Sequence, residues 1–181
     1  MSQDFIRTVC GRPCSATRDR GINHLVEWSR RIDRAPDGKI RLRIPGDERA
    51  LLREVADELT SLLASNDHEP ALERLFPSAY EDAEREREFR ELTRAQLESG
   101  REQAFRILRR TVDEDSLSAE EADAWLRALN DARLVLGTRA DVTEDLDWNE
   151  LDPSNPRAPD LAVYAYLSWI QEELVEATLA G

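Results

Sequence analysis

Several residue types are scarce in this chain, and each shortage excludes something. Of 181 residues only two are cysteine, two histidine and one methionine. Two cysteines cannot staple a disulfide-dense secreted scaffold. With His24 and His68 as the only imidazoles, general acid–base catalysis at neutral pH lacks its commonest side chain. Seven glycines are scattered without a phosphate-cradling loop. The most apolar run, Leu161–Ile170, is about half the ~20 residues needed to span a bilayer, so it reads as a buried helix. Residues 1–15 lack the charged-then-apolar order of a secretory leader, and a cytoplasmic location is expected. Lysine is almost missing: Lys39 is the sole one among 25 cationic side chains.

Charge is abundant, and it is unevenly spread. The chain carries 38 Asp and Glu for a net charge of -13. Residues 1–45 hold ten cationic and five acidic side chains, a net of +5, which leaves -18 on residues 46–181. A basic arm on an acidic body follows. Such a body repels phosphates, so direct DNA binding is confined to the N-terminal part and is not favoured.

The pattern predicts a mainly α fold: a helical bundle with a small N-terminal β-hairpin and a flexible arm. Residues 1–27 read as the arm, and 28–181 as one helical domain. Within it, 28–45 form the hairpin and 47–179 the helices. Trp28–Ile32 leads through Ala35-Pro-Asp-Gly38 into Lys39–Ile44, where cations alternate with Ile40, Leu42 and Ile44. Lys39, Arg41 and Arg43 give this strand a basic outer face, either solvated or open to phosphates or an acidic partner. Asp47 is expected to cap a helix to Leu63, and a charged helix from Glu81 is expected to break at Gly100. Ser118-Ala-Glu-Glu121 is a capping-box signature. The helix it starts carries Ala122, Trp125, Leu126, Leu129 and Leu136 on one apolar stripe, with Arg133 among them, and Gly137 is placed to end it. Asp160 is expected to cap the final helix, Leu161 to about Leu179.

One constellation suggests chemistry. In Cys10-Gly-Arg-Pro-Cys14, Gly11 and Pro13 keep the stretch out of a regular helix, and Arg7, Arg12 and Arg18 favour the reactive thiolate. Closing so small a loop contributes only about 2 kcal/mol through chain entropy, which suits a bond that is made and broken. Two readings stand, a dithiol switch or two incidental cysteines in an irregular arm. A zinc shell from Cys10, Cys14, His24 and His68 matches no familiar spacing, and no metal or other cofactor is implied. A calcium loop at Asp145–Asn149 fails because Glu150 and Pro156 stand where glycine and a bidentate glutamate are required. Trp148 among carboxylates is either a partner anchor or folded onto its own core. Tyr80, Glu88, Arg90, Asn130, Asp131 and Arg133 are expected to form one polar network, either structural or a partner site.

Three stretches resemble an actinobacterial family, long of unknown function, that includes an oxidative-stress regulator (the AosR-like family). They are the hairpin-and-helix pattern from Trp28 to Leu63, Leu75-Phe-Pro-Ser-Ala-Tyr80 with Asp82 and Glu88-Phe-Arg90, and Trp125 with Asn130-Asp131-x-Arg133-Leu-x-Leu-Gly-Thr138. Tyr164, Leu167 and Glu172 match more weakly. The resemblance implies a small cytoplasmic regulator, not an enzyme, implicated in redox-dependent transcription control and partnered with a stress sigma factor or the transcription machinery. Gene context in the family, beside the adaptor of the Clp protease, leaves a redox-independent adaptor as the alternative. A homo-oligomer also stays open.

Overall fold

A computed structural model describes residues 30–65, 70–143 and 155–180. Within them the protein is mainly helical with one small antiparallel sheet. Three short strands, β1 (Ile32–Arg34), β2 (Ile40–Leu42) and β3 (Ser116–Leu117), are hydrogen-bonded in the order β1-β2-β3. The hairpin pairs Ile32 with Leu42 and Arg34 with Ile40. Its turn closes where the Ala35 N–H meets the Lys39 carbonyl at 2.8 Å, and Gly38 supplies the left-handed residue at φ 84. Period-two alternation drives Ile32, Ile40, Leu42 and Ile44 into the core. The paired part of the first strand begins at Ile32, where the sequence reading placed its end. The turn bond across Ala35 and Lys39 sets this register. β3 joins through Ile40 and Leu117, a two-residue strand too short for any periodicity to announce.

Five helices follow among the described residues: α1 (Gly46–Ala64), α2 (Pro70–Glu73), α3 (Ala83–Thr111), α4 (Ala119–Arg139) and α5 (Ala158–Leu179). α1 buries Leu51, Leu52, Ala56 and Leu59. Its cap position is Pro45 rather than Asp47, and Asp47 and Glu48 lie in the first turn, where they face the positive end of the helix dipole. α3 runs unbroken through Gly100. A mid-helix glycine costs about 1 kcal/mol, and two stronger determinants bracket this one. Asp82 caps the start by accepting from the N–H groups of Glu84 and Arg85, and Ala104, Phe105 and Leu108 are buried beyond the glycine.

α4 opens with the expected capping box. The Ser118 hydroxyl accepts from the Glu121 N–H at 3.2 Å, and the Glu121 carboxylate accepts from the Ser118 N–H at 3.0 Å. Trp125 is fully buried, and its indole N–H donates to the Thr111 hydroxyl at 2.8 Å. The helix does not end at Gly137. It continues to Arg139, and the left-handed residue is Asp141 at φ 53. Gly137 serves close approach instead: a Cβ there would sit 3.1 Å from Cε2 of Tyr164. α5 starts at Ala158 without a side-chain cap, and Asp160 lies in its first turn. It buries Leu161, Leu167, Ile170 and Leu174 and packs against α4 and β1, which makes it the centre of the core.

Candidate functional site

Cys10 and Cys14 lie outside the described residues, as do His24, Trp28, His68 and Trp148. The chain enters the described part at Arg30, and two carboxylates hold it there. Glu173 on α5, 9% exposed, accepts from the backbone N–H of Arg31 at 2.8 Å and of Ile32 at 3.0 Å. Burial pushes its carboxyl above the ordinary value, opposed by those two hydrogen bonds and by Arg30 and Arg31. Glu48 on α1 takes the Arg31 guanidinium side-on, with Nε 3.0 Å and Nη2 2.9 Å from its oxygens. That bond holds the Arg31 pKa up. The Tyr166 hydroxyl donates to Glu48 at 3.2 Å, and the Arg31 guanidinium stacks over Trp169 at 5.7 Å. Burial first, then Glu48, raise the Tyr166 hydroxyl well above its usual value. β1, α1 and α5 are thereby tied together at the start of β1.

Of the six residues expected in one network, Asn130 and Asp131 share a side-chain hydrogen bond, whereas Tyr80 and Arg133 turn to other partners. Asp131, 5% exposed, faces α3, where Arg101 Nη1 reaches its two oxygens at 3.0 and 3.2 Å. Arg101 also donates to the Leu75 carbonyl and lies over the Phe76 ring at 5.0 Å, while its Nε is buried without a partner. Burial pushes the Asp131 carboxyl up and Arg101 pulls it back, with a net rise. Tyr80 is 46% exposed and meets Phe89 edge to face. Glu88 and Asn130 are exposed, and the Arg90 side chain is outside the described set. Helix geometry explains the separation: residues two apart point about 200° away from each other, so Asp131 and Arg133 cannot share a cluster. The sequence reading missed Arg101. Its signal was the spacing Arg101, Ala104, Phe105, Leu108, which sets a cation on the stripe that α3 turns to the core.

Arg133 faces α5 instead. Its Nε donates to Ser168 Oγ at 2.8 Å, Nη1 to Gln171 Oε1 at 3.0 Å, and Nη2 reaches the Tyr164 hydroxyl at 3.5 Å. The guanidinium sits 5.3 Å from the Tyr164 ring centre. The close approach at Gly137 brings that ring onto α4.

On the sheet, Asp33 draws in the basic face. Its Oδ2 lies 3.0 Å from Arg43 and 3.9 Å from Arg41, while Lys39 is exposed. Among the described residues no group of His, Cys, Asp and Glu is placed to hold a metal ion. No described helix is long and apolar enough to cross a membrane.

These features define a small helical domain with a three-stranded sheet, whose half-buried arginines sit where its elements meet. The family model described as "Domain of unknown function (DUF2017)" matches residues 29–178, and the chain belongs to that family. It is 25% identical over 209 residues to the oxidative stress regulator AosR of Mycobacterium tuberculosis (strain ATCC 25618 / H37Rv), covering 92% of this chain and 95% of that protein. The AosR of Mycobacterium bovis (strain ATCC BAA-935 / AF2122/97) is similar to the same extent, at 25% identity and the same coverage. No solved structure matches.

Proposed function

We propose that this chain is a cytoplasmic, non-enzymatic regulator of the oxidative-stress response that acts by binding a protein partner, with Cys10 and Cys14 as a thiol/disulfide switch. The observation that carries the reading is the likeness to a protein named as an oxidative stress regulator along 92% of this chain. The arm that bears the cysteines adjoins Arg31 and Ile32, which Glu48 and Glu173 hold against the core, so a change in the arm acts next to a fixed base. Peroxide oxidises one thiolate to a sulfenic acid; the second thiol displaces its hydroxyl as water and forms the disulfide. In total, one peroxide and two thiols give one disulfide and two waters. The partner class is the transcription machinery, a sigma factor in the first instance. Direct DNA binding is not favoured, because Asp33 already engages Arg41 and Arg43.

Intact mass with thiol alkylation, before and after mild peroxide, tests the switch. The expected result is loss of about two hydrogens with both thiols protected from alkylation, reversed by reductant. Thiols that stay free, or that pass only to irreversible acids, would remove the switch. Pulldown of the partner with Cys10→Ser and Cys14→Ser variants then separates a redox regulator from a redox-blind adaptor linked to Clp proteolysis.

A further inference from the structure

Among the described residues, Arg31, Arg41, Arg49, Arg53, Arg101 and Arg139 are half-buried and each lies within 3.9 Å of a carboxylate oxygen. Arg133 is half-buried too, yet its partners are a serine hydroxyl, a glutamine carbonyl and a phenol. Scarcity of acid does not explain this in a chain with 38 carboxylates against 25 cations. Neutral acceptors satisfy donors without offsetting the charge. Three of the five guanidinium N–H groups are engaged, leaving one on each terminal nitrogen. The three bonds also hold the fork in one orientation, so a further ligand finds it already ordered.

The surroundings are those of an anchor point. The Tyr164 ring lies under the guanidinium, Gly137 adds no side chain one turn further along α4, and Leu134 beside it is 38% exposed. An arginine against an aromatic ring with apolar neighbours is the composition found where binding energy concentrates in interfaces.

We propose that Arg133 is the docking point for an aspartate or glutamate side chain of the protein partner, received bidentately by the guanidinium where α4 packs against α5. This rests on the partner-binding reading above and adds the chemistry of the contact. The long-range field refines it further. Residues 46–181 carry a net -18, which repels an acidic surface. The partner therefore presents an isolated carboxylate within a basic or neutral face.

The full ¹⁵N-labelled chain can be titrated at constant ionic strength with glutamate blocked at both ends (N-acetyl, N-methylamide). The arginine Nε–Hε resonances are followed, that of Arg133 being identified by its loss in Arg133→Lys. A saturable shift confined to Arg133 and the backbone around Ser168 is expected, with a dissociation constant on the order of millimolar for so small a probe. It should be absent with blocked glutamine and absent from the Ser168 amides of Arg133→Gln. If Arg133→Gln does not fold, Arg133→Lys, which keeps the charge without the fork, should weaken the response at Ser168 by about fivefold or more. No saturable shift, or an equal response at the exposed Arg87, would overturn the proposal. So would inorganic phosphate binding more tightly than the carboxylate. Thiol cycling is read by mass and is independent of Arg133. Cycling thiols with a silent Arg133 would sink the docking point alone, whereas inert thiols with a responsive Arg133 would sink only the switch.

Discussion

Asp131 and Arg133 stand two residues apart on α4 and serve different helix interfaces: Asp131 meets Arg101 of α3 at 3.0 Å, and Arg133 meets Ser168 of α5 at 2.8 Å. An opposite-charge pair that looks like one cluster in the sequence is two contacts in the fold. The signature helix is the plate to which both neighbours are fastened, and its two polar fasteners differ in kind. One is a charge pair whose carboxylate is buried and whose cation is partly so, the other a cation held by neutral groups.

The first consequence concerns Arg101. Removing it leaves Asp131 buried with only its Asn130 hydrogen bond, and breaking a buried pair in this way costs about 3 kcal/mol, at the low end of the range because Arg101 keeps some solvent contact. Arg101→Met is expected to lower stability by that order in chemical denaturation. Adding Asp131→Leu should recover most of the loss. A double variant no better than the single one would show that the pair is not the reason.

Gly137 allows a second test. Alanine gains about 1 kcal/mol over glycine inside a helix, but its Cβ would stand 3.1 Å from the Tyr164 ring. The two effects oppose, and Gly137→Ala is expected to change stability by less than about 1 kcal/mol. Gly137→Val has no such compensation and should cost about 1–3 kcal/mol by overpacking, read as a lower midpoint in urea.

Glu173 predicts a pH dependence. Its carboxyl is raised, so over a window beginning near the ordinary glutamate value the folded chain keeps a proton that the unfolded chain has released. Its contribution is fully present below the unfolded value and is lost as pH rises through the folded one. Glu173→Gln removes that loss. Between about pH 4 and pH 7 the stability of the variant relative to the native chain should therefore rise. Paired urea titrations at the two pH values measure it, and a constant or falling difference would contradict the assignment.

The capping box predicts a local effect. Ser118→Ala is expected to cost about 1 kcal/mol, because it removes the acceptor for the Glu121 N–H. The Glu121 carboxyl is held below its ordinary value chiefly by its bond to the Ser118 backbone N–H, and that bond is open to the variant. Denaturant midpoints for the two chains decide the magnitude.

Local patterns were legible and distant pairings were not. The capping box at Ser118, the turn at Gly38 and the stripe through Trp125 each lie within a few residues, and the structure has all three. Arg101 and Asp131 are thirty positions apart, so nothing in the periodicity of either helix names the other. Gly100 misled because propensity is a small term beside the burial of Phe105 and Leu108. Gly137 misled for a related reason: a glycine near a helix end can serve the backbone or a neighbouring ring, and only the packing of α5 tells which. At the candidate site, the placement of Arg133 on the core-facing stripe was readable, while the neutral character of its partners was not.

Glu173 also bears on how the protein behaves at high concentration. β1 lies at the margin of its sheet, with β2 on one side only, and two consecutive amides at its start are taken up by one carboxylate. Unclaimed amides at a sheet margin are a foothold for strand addition between molecules. A side chain from α5 thus occupies the outward amide of Ile32, where an added strand would begin to pair.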